Sequence, residues 1–166
     1  MLHVAPEECL EKNFRFVLKE GYTSVDKSSE RAMFNMDITY LQFGSQVFDF
    51  VYCSHVLEHV VEDIQAMQEI KRVLKYGGFA IINVPLDVNR SKTFEDINVI
   101  NPNERLKKFG QPDHVRIYGK DYIKRLRSVG FIVKEIKPKD ILTKKQIQVM
   151  GITKAAGSVF YCKKGE

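Results

Sequence analysis

The densest chemistry in the sequence is CSHVLEH, residues 53–59, at the end of the apolar run 47–53. His55 and His59 stand four residues apart, a spacing that can offer two imidazoles from one helical face. No pairing of the HExxH type accompanies them, so no metal site is expected. A neutral imidazole beside a reacting nucleophile can instead take up its proton. The structural alternative is one histidine closing a strand and another in a helix's first turn, where Glu58 suits the helix dipole. A second cluster is QPDHVRIYG, residues 111–119. After Asp113, the polar His114, Arg116 and Tyr118 alternate with Val115 and Ile117 and share one side if the segment is extended. Arg116 has the planar fork that grips a carboxylate or phosphate. Its structural alternative is an Arg–Asp pair that ties the loop to a sheet.

Two further acids close extended segments. Asp26 ends YTSV-D, where an acid can accept from both hydroxyls of a ribose. Asp37 ends FNMD, where it can accept from an adenine amino group. Each also suits a turn or cap. The turn after the first apolar run reads HVAPEE and holds no glycine, so a GxGxxG pyrophosphate cradle is excluded. Glu7 and Glu8 would repel phosphate, although they suit a helix start. This disfavours NAD, FAD and nucleoside triphosphates, whereas a positively charged sulfonium nucleoside is tolerated.

Alternating strands and helices must position these groups. Apolar runs at 2–5, 22–25, 47–53, 79–85, 131–136 and 158–162 predict strands, several of them covered on both faces. Helical spacing joins Leu10, Phe14, Val17 and Leu18, with Gly21 as the stop. It also joins Ile64, Met67, Ile70, Val73 and Leu74, ended by Gly77-Gly78, and then Tyr122, Leu126 and Val129, closed by Gly130. The pattern predicts an α/β, Rossmann-like, doubly wound and mostly parallel sheet with helices on both faces. The last two strands lack a full helix between them and are expected to pair antiparallel. Residues 86–118 are polar and aperiodic, a loop insertion expected on the substrate side of one domain spanning 1–166. Ligands of such sheets lie beyond the carboxyl ends of the strands, at the switch point.

The chain has 166 residues, 44% hydrophobic and 28% charged, which is globular composition. It is long enough for one core without staples. Three cysteines, an odd count with no CxxC, exclude a disulfide framework and favour a reducing, cytoplasmic compartment. The N-terminal residues carry no signal-peptide pattern, and no run approaches the roughly 18 apolar residues of a membrane helix. The formal charge of +5 is uneven: residues 120–166 carry +8 and residues 1–119 carry −3. The basic end is read as a solvated surface, with a rim for an anionic partner as the alternative.

The block FDFVYCSHVLEHVVEDIQAMQEIKRVLKYGGFAIINVP, residues 48–85, resembles the fourth strand, helix, Gly-Gly turn and fifth strand of class I S-adenosylmethionine-dependent methyltransferases, in particular the methyltransferase type 11 group. The resemblance extends over nearly the whole chain. It implies S-adenosylmethionine as cofactor. It places Ala5, Pro6 and Glu7 beside the methionine portion, with His3 where an acid is usual. Asp26 falls at the ribose, Asp37 and Ile38 at the adenine, and Cys53, Ser54 and His55 at the wall beneath the cofactor. The chain departs from the family in three ways. The first turn lacks glycines, the segment between Asp26 and Asp37 is too short for a helix, and the N-terminus is truncated inside the first strand.

The implied reaction is methyl transfer to an oxygen or nitrogen nucleophile of a small molecule. His59, His55 and then His114 are expected as base or aligning groups, and Arg116 and Tyr118 as substrate contacts. Neither an NPPY nor a Pro-Cys motif appears, which disfavours nucleic acid as acceptor. Self-association into a homo-oligomer is compatible with the resemblance. The rival expectation is a non-catalytic cofactor-binding or scaffold domain, for which the glycine-free turn and the missing N-terminal cover speak.

Overall fold

A computed structural model describes residues 1–152 and 157–165. Strands β1 (Leu2–Val4), β2 (Thr23–Asp26), β3 (Phe34–Asn35), β4 (Phe48–Ser54), β5 (Leu74–Asn83), β8 (Phe131–Ile136) and β9 (Val159–Lys164) form one sheet. Its order is β3-β2-β1-β4-β5-β9-β8. All pairs are parallel except those of β9, which runs antiparallel to both β5 and β8. The two short helices α5 (Pro138–Ile141) and α6 (Lys144–Val149) lie between β8 and β9 in the chain. Both are shorter than an ordinary crossover helix, and β9 returns antiparallel to β8.

The apolar strands pack on the helix α2 (Asp63–Val73) and on α4 (Tyr122–Ser128). Val51, Cys53, Ala80, Ile82, Phe160 and Cys162 point to this side, where Met67, Ile70, Tyr122 and Leu126 meet them in full burial. The opposite face carries α1 (Glu8–Leu18), seated through Phe14 on His3 and Tyr52. The expected apolar row of α1 is only half realised. Leu10 and Phe14 are half-buried, but Val17 is 72% exposed. Beyond α1 a row of stacked rings, Phe50, Phe79 and Tyr161, remains half-buried.

Gly77-Gly78 does not end α2, because the helix stops at Val73 and β5 starts at Leu74. The glycines instead sit where the β4–β5 register shifts. A Cβ on Gly78 would stand 3.0 Å from the carbonyl oxygens of Asp49 and Lys75. Gly130 closes α4 at φ +86, as expected of a helix C-terminus. Residues 86–118 hold more structure than expected. They contain β6 (Phe94–Glu95), α3 (Pro102–Phe109) and β7 (Arg116–Ile117), with β6 and β7 paired antiparallel. Between Asp26 and β3 there is no helix, in line with the short spacing. Among the described residues, no helix is long and apolar enough to cross a membrane.

Candidate active site

The order of the sheet reverses between β1 and β4, so their carboxyl ends open a crevice. A cleft of ≈ 530 Å³ occupies it. Ala5, Asp26, Asp37, Ile38, His55 and His59 all line this cleft.

Ala5 follows β1 with φ 50, in the left-handed region, and its N–H donates to the Val25 carbonyl at 2.8 Å. An alanine thus performs the turn that glycine ordinarily makes. Asp26 ends β2. Its Oδ1 accepts from the N–H groups of Ser28 and Ser29 at 2.8 and 2.7 Å, and its Oδ2 has no hydrogen bond among the described residues. The turn-forming and ligand-binding readings of Asp26 are therefore compatible, one oxygen for each. Asp37 accepts from Thr39 through Oδ1 and pairs with Lys27 through Oδ2 at 2.8 Å. The Lys27 ammonium and the Thr39 donors hold its pKa down at about 2.

The CSHVLEH segment is not a helix with two histidines on one face. His55 leaves β4 with φ 55, and its N–H donates to Asn83 at 3.0 Å. A 3₁₀ turn, Leu57–His59, follows. His55 is 66% exposed and stands 3.5 Å from Glu58 through Nδ1. It borders both the main cleft and a second cavity of ≈ 420 Å³, which Asn83, Pro85, Leu86 and Asp87 also line. His59 turns the other way. Its Nδ1 lies 3.1 Å from Asp113, and its ring meets that of His114 edge-on at 4.7 Å. The Val115 N–H donates to the Glu58 carbonyl at 2.9 Å, which brings the 111–119 cluster against this turn. His114 is buried, and desolvation aided by the neighbouring His59 lowers its pKa.

Arg116 and Tyr118 are placed differently from a substrate grip. Arg116 is 3% exposed. Its guanidinium donates to the carbonyls of Leu57, Val60 and Val61 and to Glu95. Tyr118 is fully buried, donating to Asp63 at 2.7 Å, and burial raises its pKa. Both clamp the 3₁₀ turn that displays Glu58 and His59, Arg116 chiefly through backbone carbonyls and not through an Arg–Asp pair to the sheet. Their partner Asp63 is also paired with Arg125 at 2.9 Å.

His3 is likewise withdrawn from the cleft. It is fully buried beneath α1, with Nδ1 3.0 Å from the Tyr22 hydroxyl and Nε2 2.7 Å from Glu7. Glu7 is thereby held by His3, and Pro6 is buried. The Cys53 side chain is fully buried on the α2 side, where desolvation raises its pKa, and Ser54 is 8% exposed. Neither residue lines the cleft with those above. Another hollow, of ≈ 660 Å³, lies elsewhere, beside α2 and the 86–118 segment. Of its acids, Asp63 and Glu95 are paired with Arg116 and Arg125, and Asp96 with Lys108.

Two acids that the sequence did not assign to the site lie beside its histidines. Glu58 is 2% exposed, and burial raises its pKa. Asp113 lines the main cleft. The signal for Glu58 was a charged residue inside the apolar stretch HVLEHVV, too short to give a burial pattern.

Residues 18–82 match a family model described as a methyltransferase domain. No curated protein sequence is significantly similar to the chain. Solved structures extend the match in three dimensions. An S-adenosylmethionine-dependent methyltransferase from Mesorhizobium loti superposes with a TM-score of 0.63 at 13% identity, over 97% of this chain and 88% of that one. A putative methyltransferase in complex with the Trm112 methyltransferase activator, from Haloferax volcanii, gives 0.63 at 12% identity, over 99% and 82%. A phosphoethanolamine N-methyltransferase from Haemonchus contortus, bound to S-adenosylhomocysteine, gives 0.61 at 12% identity, over all of this chain and 49% of that one. Strand order, antiparallel β9, switch-point cleft and central sequence block agree, and the chain has the class I S-adenosylmethionine-dependent methyltransferase fold.

Proposed function

We propose that this chain transfers the methyl group of S-adenosylmethionine to an oxygen or nitrogen nucleophile of a small molecule. The observation that carries the reading is the single cleft at the switch point in which Ala5, Asp26, Asp37, Ile38 and two histidines converge. Its donor set fits a nucleoside sulfonium. Oδ2 of Asp26 is available to ribose hydroxyls, and Asp37 and Ile38 border the far end for the base. The cleft is lined by the acids Asp26, Asp37, Glu62 and Asp113, which suit a positively charged ligand. When bound, the cofactor supplies an electrophilic methyl that a nucleophile takes in line as the S–C bond breaks.

The chain's own part is to hold and align. His55 separates the cofactor cleft from the ≈ 420 Å³ cavity at the end of β5, which is the place for the acceptor. Its exposed ring can take the acceptor's proton at a ring nitrogen, with Glu58 stabilising the resulting charge. His59, oriented by Asp113, borders the same cleft and serves as the second aligning group. His114 lies behind it. Arg116 and Tyr118 act by fixing the Leu57–His59 turn.

Titration calorimetry with S-adenosylhomocysteine tests the reading. Binding in the micromolar range, about −8 kcal/mol, is expected. Asp26→Ala should weaken it at least tenfold while keeping the fold by circular dichroism. Absence of binding at high micromolar ligand overturns the proposal. Binding without turnover across a panel of oxygen and nitrogen acceptors would instead favour a cofactor-binding scaffold.

A further inference from the structure

At the edge of the cleft, beside His59, three potential ligand side chains converge. One ligand atom each from Glu58, His59 and His114 lies within 4.8 Å of the others. Glu58 is 2% exposed, yet its Oε2 has no hydrogen-bond partner. A buried carboxylate oxygen left unpaired costs free energy unless something neutralises it. Oε1 lies 3.5 Å from His55, a weak contact that leaves Oε2 unanswered.

The geometry points to a divalent transition-metal site formed by Glu58, His59 and His114. Two imidazoles and one carboxylate form a donor set suited to zinc, cobalt or ferrous ion, with coordination positions left open. Asp113 supplies the usual outer support. Asp113 Oδ2 lies 3.1 Å from His59 Nδ1, where it favours a proton on Nδ1 and a lone pair at Nε2. Ligands about 2.1 Å from a tetrahedral ion stand about 3.4 Å apart, so atoms within 4.8 Å of one another reach binding distance by closing at most about 1.4 Å. His59 can supply that movement, since its side chain is 33% exposed while the other two are buried. An open position on the ion would face the cleft that His59 lines and would take an oxygen ligand.

Cobalt(II) titration of the metal-free protein reads the site directly. One equivalent should bind with ligand-field absorption in the visible range, and zinc should displace it. Glu58→Gln and His114→Ala should each weaken binding at least tenfold. His59→Ala, at a partly exposed position, is the variant expected to keep the fold, and it should show the same loss. Failure to bind cobalt or zinc at 100 equivalents overturns the assignment. So does wild-type affinity in a folded His59→Ala protein. Binding of S-adenosylhomocysteine measured in parallel keeps the two proposals apart, because the metal site can fail while the cofactor cleft stands.

Discussion

At the scale of single residues, Ala5 carries the departure from a glycine-rich turn. Its φ of 50 costs a non-glycine residue about 1–2 kcal/mol. Glycine there would relieve that strain and lose about 0.4–1 kcal/mol through its freer unfolded chain. Ala5→Gly should therefore be neutral to about 1 kcal/mol more stable in urea denaturation. Ala5→Val, β-branched at the same φ, should be clearly less stable. Asp37 makes a pH-dependent contribution. Its folded pKa of about 2 lies below its ordinary 3.8, so its ionised form favours the folded state above pH 3.8, and the advantage fades as pH falls through 2. Lys27, its partner, is 79% exposed, so salt should weaken the effect. Between pH 3.8 and 2, Asp37→Asn should lose less stability than the parent protein when both are compared by urea midpoint.

At the scale of elements, the turn Leu57–His59 is held from behind by β7 and the residue after it. Arg116 satisfies three carbonyls at once, and Tyr118 joins Leu57 to Asp63. Arg116→Ala should destabilise by about 3–5 kcal/mol, because buried acceptors and Glu95 lose their cation. Tyr118→Phe should cost about 1–2 kcal/mol. Both effects should appear in urea denaturation. At temperatures where the variants stay folded, affinity for S-adenosylhomocysteine should hardly change, as a positioning role requires. Six of the seven strands of the main sheet were readable from apolar runs, whereas β3 was not, because both its residues are exposed. Helix α3 was not readable by periodicity, because Phe109 is its one buried residue among the described ones. Its punctuation was nevertheless present: Asn101 caps it, Pro102 opens it and Gly110 ends it at φ +87. Residue type placed Asp26 and His55 at strand ends, while Asp37 lies two residues beyond β3. It could not say which side of a strand a neighbour would take, so His3 and Cys53 fell beneath the sheet surfaces instead of in the cleft.

At the scale of the whole molecule, β9 joins what comes before it. It lies between β5 and β8, with Phe160 packed edge-on against Tyr122 at 5.0 Å. Phe160→Ala should cost about 3–5 kcal/mol, because the cavity falls where β4, β5, α4 and β9 share one core. Chemical denaturation, with one transition followed by circular dichroism, measures the loss. The uneven charge follows the same division, since the basic C-terminal portion is largely outside the acid-lined cleft.

The strand order also governs how the protein is born. A ribosome delivers β5 and β8 before the strand that must slide between them. The 28 residues from Ile136 to Lys164 take about 1–6 s to synthesise. Throughout that interval two strand edges and the apolar side chains of Ala80, Ile82 and Val133 await their partner. The nascent chain thus passes through a stage in which the rate of translation, rather than the stability of the finished sheet, decides how long sticky edges remain open to other chains.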